Sequence, residues 1–365
     1  MKINIREVVK DDYNQIKELH KKFDLKILNE SDWSKFWSQN PYFLESKKHT
    51  PVGWVIEDNN RVVGYLGNLV KEYYYKKEKI IIAFLHGWVV DTKYRLEAVL
   101  LFRKFFNQEN IQIFMNTTAN EATANIWSKN ISKKVPLKNF QNALFVILDL
   151  EKFIYSYFEY KKINISKFIK KIIFYFFKIF FSNKISRWKK LDVTSEANLN
   201  STIDKKFDQF WKLYKADCEN YLLLSRTTNW IKWHFQKKID EDNAWIISLN
   251  DNNQLLGYAV CSDTSNNKIN LKRISIVDLV SLGDNEKIYL SLMKKCILEA
   301  KKRNYHTIEF IGYKNLKRKI FSKFKPFKRK LAFPFFYKSK NQTYENFLKK
   351  DEIWDPSLID GDAFL

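Results

Sequence analysis

Arg95 is the first residue whose setting suggests chemistry. It stands in DTKYRLEAVLL, residues 91 to 101, between the apolar run AFLHGWVV and the helical pattern FRKFFNQ. A cation in a tight turn between strand and helix suits an anion. Helix-start amides, the helix dipole and a guanidinium all favour negative charge there. Turns that hug a phosphate normally carry glycine, which permits close approach and positive φ. Here Leu96, Glu97 and Ala98 stand instead. Ala98 leaves some room, Leu96 crowds the approach and Glu97 brings a repelling charge. The stretch therefore predicts a looser phosphate site, one completed by another part of the chain, or an ordinary turn with Arg95 in solvent.

Other residues could join it. His86, beside Gly87 in the preceding strand, has the chemistry of a general base and equally that of a satisfied core histidine. Asn116 and Asn120 could orient an amide, although Asn120 is also placed to cap the next helix. Trp127 could pack on a ligand or in the core. Further on, RTTNWIKWHF brings Arg226, Trp230, Trp233 and His234 together, with the first three on one helical face. Aromatic faces with an arginine suit a sugar or base bearing phosphate; a Trp-rich core helix gives the same pattern. The final stretch, DEIWDPSLIDGDAFL, sets Trp354, Asp360 and Asp362 around Gly361. Its carboxylates could accept sugar hydroxyls or a substrate ammonium, and its apolar residues predict that it is docked.

The elements that must position these residues come in two similar series. In the first, KINIREV reads as a strand, DDYNQIKELHKKF as a helix capped by Asp11 or Asp12, and SDWSKFWSQN as a second helix. A strand, an Asp-Asn-Asn turn, a strand, a Lys-rich turn and a third strand follow, then a helix, the strand IQIFMNTT and another helix. The second series has two helical candidates, the hairpin AWIISLNDNNQLLGYAVCSD, a strand pair in KINLKRISIVDLV, the helix IYLSLMKKCILEAKKRN, the strand HTIEFIG and the helix NLKRKIFSKF. WVIEDNNRVVGYLG and WIISLNDNNQLLGYAV echo each other. The order predicts units at 1–150 and 201–365 joined by a helical linker over 151–200. Within the linker, Lys167, Lys170, Lys171 and Lys178 share one arc of an otherwise aromatic or aliphatic helix. Residues 163–188 read either as an interfacial helix on anionic membrane or as a connector packed between the units with its lysines in water.

Composition bounds the function. The 365 residues are 45% hydrophobic and 16% aromatic, enough for packed cores, and 64 Lys and Arg against 41 Asp and Glu give +23. That charge attracts anions without choosing among nucleic acid, lipid and phosphorylated small molecules. Cys218, Cys261 and Cys296 are widely spaced and form no CxxC pair, so no zinc or other metal site is expected. No secretory leader and no membrane span is read, and a cytoplasmic protein is expected, with peripheral contact at the inner face of the membrane under the first linker reading.

Two motifs carry a family resemblance. VVDTKYRLEAVLL resembles the turn V-x-P-x-Y-R-G-x-G-x-G of the GNAT superfamily of acyl-CoA-dependent N-acyltransferases. It keeps Val90, Tyr94 and Arg95 and puts Leu96, Ala98 and Leu100 at the glycine positions. NEATANIW, from Asn120 to Trp127, is similar to the family's N-x-x-A-x-x-L-Y, with Thr123 for alanine and Trp127 for tyrosine. The resemblance covers roughly residues 1–145, with a fainter echo over 205–335. It implies two units, each a mixed, mostly antiparallel α/β sheet flanked by helices. It also implies that the strands LHGWVV and IQIFMNTT splay to admit an acyl-CoA. Val89, Val90, Tyr94, Arg95, Leu96, Glu97, Ala98, Asn120 and Trp127 would meet that donor, and His86 and Asn116 would serve the chemistry. The second unit's turn, SLGDNEK, keeps Gly283 but has no arginine.

WDPSLIDGDAF resembles the ending of tandem-GNAT N-acyltransferases of bacterial surface-polysaccharide pathways. That likeness implies acylation of a nucleotide-linked amino deoxysugar, with Arg226, Trp230, Trp233, His234, Trp354, Asp360 and Asp362 on the acceptor side and no nucleic-acid partner. Two other readings stay open: a FemAB-like aminoacyltransferase using aminoacyl-tRNA, and a membrane-associated binding protein whose sites have decayed.

Overall fold

The computed structural model of the chain describes residues 3–25, 27–119, 121–128, 132–190, 196–200, 202–331 and 333–362. Its first half supplies strands β1 (Ile3–Glu7), β2 (Gly53–Asp58), β3 (Arg61–Tyr75), β4 (Glu78–Val90), β5 (Ile113–Asn116), β6 (Lys133–Lys134) and β7 (Asn142–Ile147). The second supplies β8 (Asn198–Asn200), β9 (Leu223–Leu224), β10 (Ala244–Asp251), β11 (Gln254–Asp263), β12 (Arg273–Ser281), β13 (Thr307–Phe310), β14 (Phe327–Lys330) and β15 (Phe336–Ser339). The paired asparagines explain the sequence echo. Asn59–Asn60 and Asn252–Asn253 all hold positive φ, as a two-residue hairpin turn of matching twist requires. Lys76 and Lys77 adopt the same conformation between β3 and β4.

The helices follow the sequence pattern. They are α1 (Tyr13–Lys22), α2 (Glu30–Ser38), α3 (Pro41–Glu45), α4 (Ala98–Phe106), α5 (Glu121–Ser128), α6 (Leu150–Lys161) and α7 (Lys167–Ile185), then α8 (Arg187–Lys190), α9 (Lys206–Asp217), α10 (Thr228–Asp240), α11 (Glu286–Lys302), α12 (Asn315–Ser322) and α13 (Gln342–Leu348). Asp12 stands at the N-cap of α1 without making a side-chain cap bond there; its carboxylate reaches back across the 3-10 turn Lys10–Asp12 to accept from the Val9 amide at 2.9 Å. The stretch expected to hold a strand pair holds one strand, β12; its first part winds into a 3-10 turn at Asn267–Ile269.

Two mixed sheets result, with orders β1-β2-β3-β4-β5-β15-β6 and β14-β7-β13-β12-β11-β10-β8. Each contains one parallel pair, β4 with β5 and β12 with β13. The halves exchange strands. β15 enters the first sheet against β5, and β7, from within residues 1–150, enters the second against β13. The largest apolar core joins the sheets, running from Leu69, Phe84 and Met115 to Trp211, Trp230 and Tyr258. Separate clusters cover the outer faces under α1 and α11.

The linker helix departs from the reading that buried it between the units. α7 lies beside the edge strand β14, where Phe181 meets Phe327. Phe168, Tyr175, Phe176, Ile179 and Phe180 are exposed.

Candidate active site

β4 and β5 pair over three positions only, Ile82–Phe84 with Ile113–Met115. β4 then runs on to Val90 while β5 ends at Asn116. The divergence has a local cause. Opposite Tyr65–Gly67 of β3, β4 carries an extra residue between His86 and Val89, and such a bulge bends its strand. Gly87 sits there at φ +58, where an added Cβ would stand 3.0 Å from the Tyr65 ring and 3.2 Å from His20 Nε2. The edge of β4 beyond Phe84 therefore faces a gap. A cavity of about 300 Å³ opens at it, walled by Leu85–Trp88 on one side and Asn116, Thr118 and Ala119 on the other. Asn116 Nδ2 and Trp88 Nε1 are buried without a hydrogen-bond partner among the described residues.

The tail closes the mouth of the gap. His86 Nδ1 lies 3.2 Å from Asp362 Oδ2, and Thr117 and Thr118 donate their hydroxyls to the same carboxylate at 2.9–3.0 Å. Burial pushes the Asp362 carboxyl up, but His86 and the two threonines outweigh it and hold it below the ordinary value. His86 is thus oriented through Nδ1, which leaves Nε2 as the nitrogen able to take a proton. Gly361 is pressed so closely on Thr117 that a Cβ would fall 1.9 Å from its Oγ1.

Two groups in this site escaped the sequence reading. Lys71 is fully buried in β3 and donates to the carbonyls of Ile359 at 2.5 Å and Gly361 at 3.0 Å. Burial lowers its ammonium to about 7, against the opposing charges of Asp360 and Asp362. A lysine amid the apolar run of RVVGYLGNLVKEYYY was the available signal. His20 lines the cavity and donates from Nδ1 to the Ile16 carbonyl at 2.9 Å. Burial lowers its pKa and keeps it neutral. Its place four residues after buried Ile16 was the clue to its inward face.

The turn at Arg95 is looser than a phosphate loop. A 3-10 turn spans Thr92–Tyr94 and α4 begins at Ala98, so the helix opens later than Tyr94. Every residue of the turn keeps φ negative. Arg95 and Leu96 are exposed, Glu97 and Ala98 are half-buried, and Tyr94 is tied to Asp58 through its hydroxyl at 2.6 Å. Val89 packs in the core under α1, and Val90 is half-buried at the end of β4. Trp127 is fully buried against Phe106 and Phe336, in the core and outside the cavity wall. Asn120 lies outside the described residues.

The residues expected on the acceptor side divide. Asp362 is at the cavity. Asp360 is buried and engaged by the Tyr73 hydroxyl at 2.9 Å and by the amide and hydroxyl of Ser357, so it holds the tail in shape. Trp354 packs against Phe335 and Tyr337 and donates to the Leu348 carbonyl. Arg226 is buried in a two-pronged pair with Asp278 at 2.9 Å, and Trp230 is core. Trp233 and His234 line a cavity of about 340 Å³ between α2 and α10, with Lys35, Lys237 and Lys238. Both ring nitrogens of His234 lack a hydrogen-bond partner among the described residues, and burial drives its pKa well below the usual value. Ile27 and Leu28 border this cavity and the one at His86.

The second unit repeats the geometry and fills it. β12 pairs with β13 only over Arg273–Ile276, carries a bulge before Asp278 and continues to Ser281. Here the space is occupied by the chain itself. Lys317 donates to the Leu279 carbonyl at 2.6 Å and pairs with Asp355, and the Tyr313 hydroxyl donates to the Ile276 carbonyl at 3.0 Å. At the turn before α11 the Gly283 amide donates to Asp217, and Asp284 binds Lys314 and Tyr289. Carboxylates thus take up the groups of this turn.

The fold is that of the GCN5-related N-acetyltransferases. A GCN5-related N-acetyltransferase from Anabaena variabilis superposes with TM-score 0.57 at 11% identity, over 93% of this chain and 73% of that one. N-myristoyltransferase from Saccharomyces cerevisiae, solved with myristoyl-CoA, gives 0.57 at 9% identity over 93% and 79%. A putative acetyltransferase from Pyrococcus horikoshii gives 0.52 at 10% identity over 98% and 94%. No family model matches the sequence, and no curated protein matches it. Among the described residues no cluster of His, Cys, Asp and Glu could hold a metal ion.

Proposed function

We propose that the first cleft transfers an acyl group from acyl-CoA to the amine of a nucleotide-linked amino deoxysugar. The observation that carries this reading is the arrested pairing of β4 and β5, with His86 and Asp362 at the mouth of the gap. An extended amide-bearing arm can pair with the free edge of β4 as a strand would. The orphaned Asn116 Nδ2 offers it a donor, and Arg95 stands exposed beyond the gap for the diphosphate. The substrate amine attacks the thioester carbonyl, its proton passes to His86 Nε2, and the C–S bond breaks as the thiolate leaves and is protonated. Asp362 steadies the imidazolium, and strand amides polarise the carbonyl.

The acceptor's charge has a place. Lys35, Lys237 and Lys238 border the cavity that meets the first at Ile27 and Leu28, outnumbering Asp32, which pairs with Lys237, and Glu241; a lining of net positive charge suits the phosphates of a nucleotide sugar. Calorimetry with acetyl-CoA and longer acyl-CoAs, followed by thiol release with a panel of nucleotide amino sugars, tests both halves of the proposal. Absence of acyl-CoA binding overturns the donor site. Binding with turnover confined to other amines overturns the acceptor.

A further inference from the structure

α7 presents apolar side chains to water as well as to the protein. Phe168, Ile172, Tyr175, Phe176 and Ile179 recur at three- and four-residue spacing and are 42–72% exposed. Its packed side holds the half-buried Ile173 and Phe174 and sets Phe181 on Phe327, together with Lys170 over Tyr155 and Phe158 and Lys184 over Phe327 at 4.1 Å. The apolar face continues onto α6 through the exposed Tyr157 and Tyr160. Contiguous apolar surface of this kind marks an interaction site.

Charge identifies the occupant. From Tyr160 to Lys190 the sequence holds ten Lys and Arg residues and no Asp or Glu. Lys171 and Lys178 are exposed seven residues apart, beside the aromatic face. A second copy of this face would bring the same cations together, which repels. An anionic bilayer matches both features, taking phenylalanine and isoleucine at the acyl boundary, tyrosine at the headgroups and lysine at the phosphates. The helix has 19 residues, a length of about 28 Å. No helix among the described residues is long and apolar enough to cross a membrane. We infer that α7, with the end of α6, lies flat in the surface of an anionic membrane and holds the enzyme there. The inference is independent of the acceptor's identity.

Flotation of the full chain with phosphatidylcholine vesicles, with and without phosphatidylglycerol, tests it. Co-flotation with the anionic vesicles is expected, weaker with neutral ones and reduced by high salt. The pair Phe176→Glu and Ile179→Glu changes exposed side chains and should abolish co-flotation while thermal unfolding stays unchanged. Lys171→Glu with Lys178→Glu should lower vesicle partition at least about tenfold. Wild-type protein that stays with the unbound fraction overturns the inference. So does flotation unaffected by the Phe176 and Ile179 changes. A dimer in light scattering that those changes dissolve, without vesicle binding, would assign the face to self-association instead.

Discussion

The two clefts share a blueprint and differ in what occupies them. In each, a bulged strand leaves its parallel neighbour after three or four pairs. In the first, the diverging edge faces a cavity with a histidine at its mouth. In the second, Lys317 and the Tyr313 hydroxyl take carbonyls of the same edge, and Lys317 is held in turn by a buried ion pair with Asp355. Splaying alone therefore does not leave an edge free: among the described residues the first cleft keeps a free edge and the second does not. Asp217 and Asp284 show the same exchange at the helix-start turn, where protein carboxylates take the amide and cation that an anion would use.

Breaking the first cleft should cost chemistry, and breaking the second should cost stability. His86→Ala is expected to lower kcat about 10²- to 10⁴-fold with acyl-CoA binding retained, read by thiol release beside calorimetry. Lys317→Ala strands buried Asp355 and should lower unfolding free energy by about 3–5 kcal/mol in urea titrations, without altering acyl-CoA affinity. Gly361→Ala drives a methyl into Thr117 and shifts Asp362; a fall in kcat of about 10²-fold at a preserved melting temperature would mark the tail as a positioning element. Arg95→Glu should weaken acyl-CoA binding about tenfold to a hundredfold, whereas Asp217→Asn in the second turn should leave it unchanged.

The last prediction concerns Lys71. Its folded pKa, lowered to about 7, lies below the ordinary lysine value, so above about pH 7 the unfolded chain holds more protons than the folded one. Stability from this group therefore rises with pH from about 7 towards the unfolded value, by at most about 1.4 kcal/mol per pH unit. Lys71→Met should flatten that slope in urea titrations run across the range.

Much of this was legible in advance because its causes are local. The Asp-Asn-Asn hairpins, the apolar periodicity of α1 and α11 and the strand-turn-helix around Arg95 are written in short windows of sequence. Asp362 and His86, each singled out by its own neighbourhood, meet across the fold. What sequence could not display was decided by distant pairing. Arg226 looked like a ligand for phosphate until Asp278, in another strand, claimed it. Trp127, Trp230 and Trp354 are core because the two sheets share one interior, which no window of residues reveals. The aromatic face of α7 was visible as a pattern, but its outward direction depends on where β14 lies.

The exchange of β7 and β15 gives the order of assembly a direction. β5 can fold against β4 as soon as it leaves the ribosome, yet its other neighbour, β15, emerges some two hundred residues later, and Asp362 later still. Contacts so far apart in the chain form slowly. A nascent chain arrested before residue 336 would thus carry His86 without its carboxylate and a bare edge on β5, open to capture by chaperones.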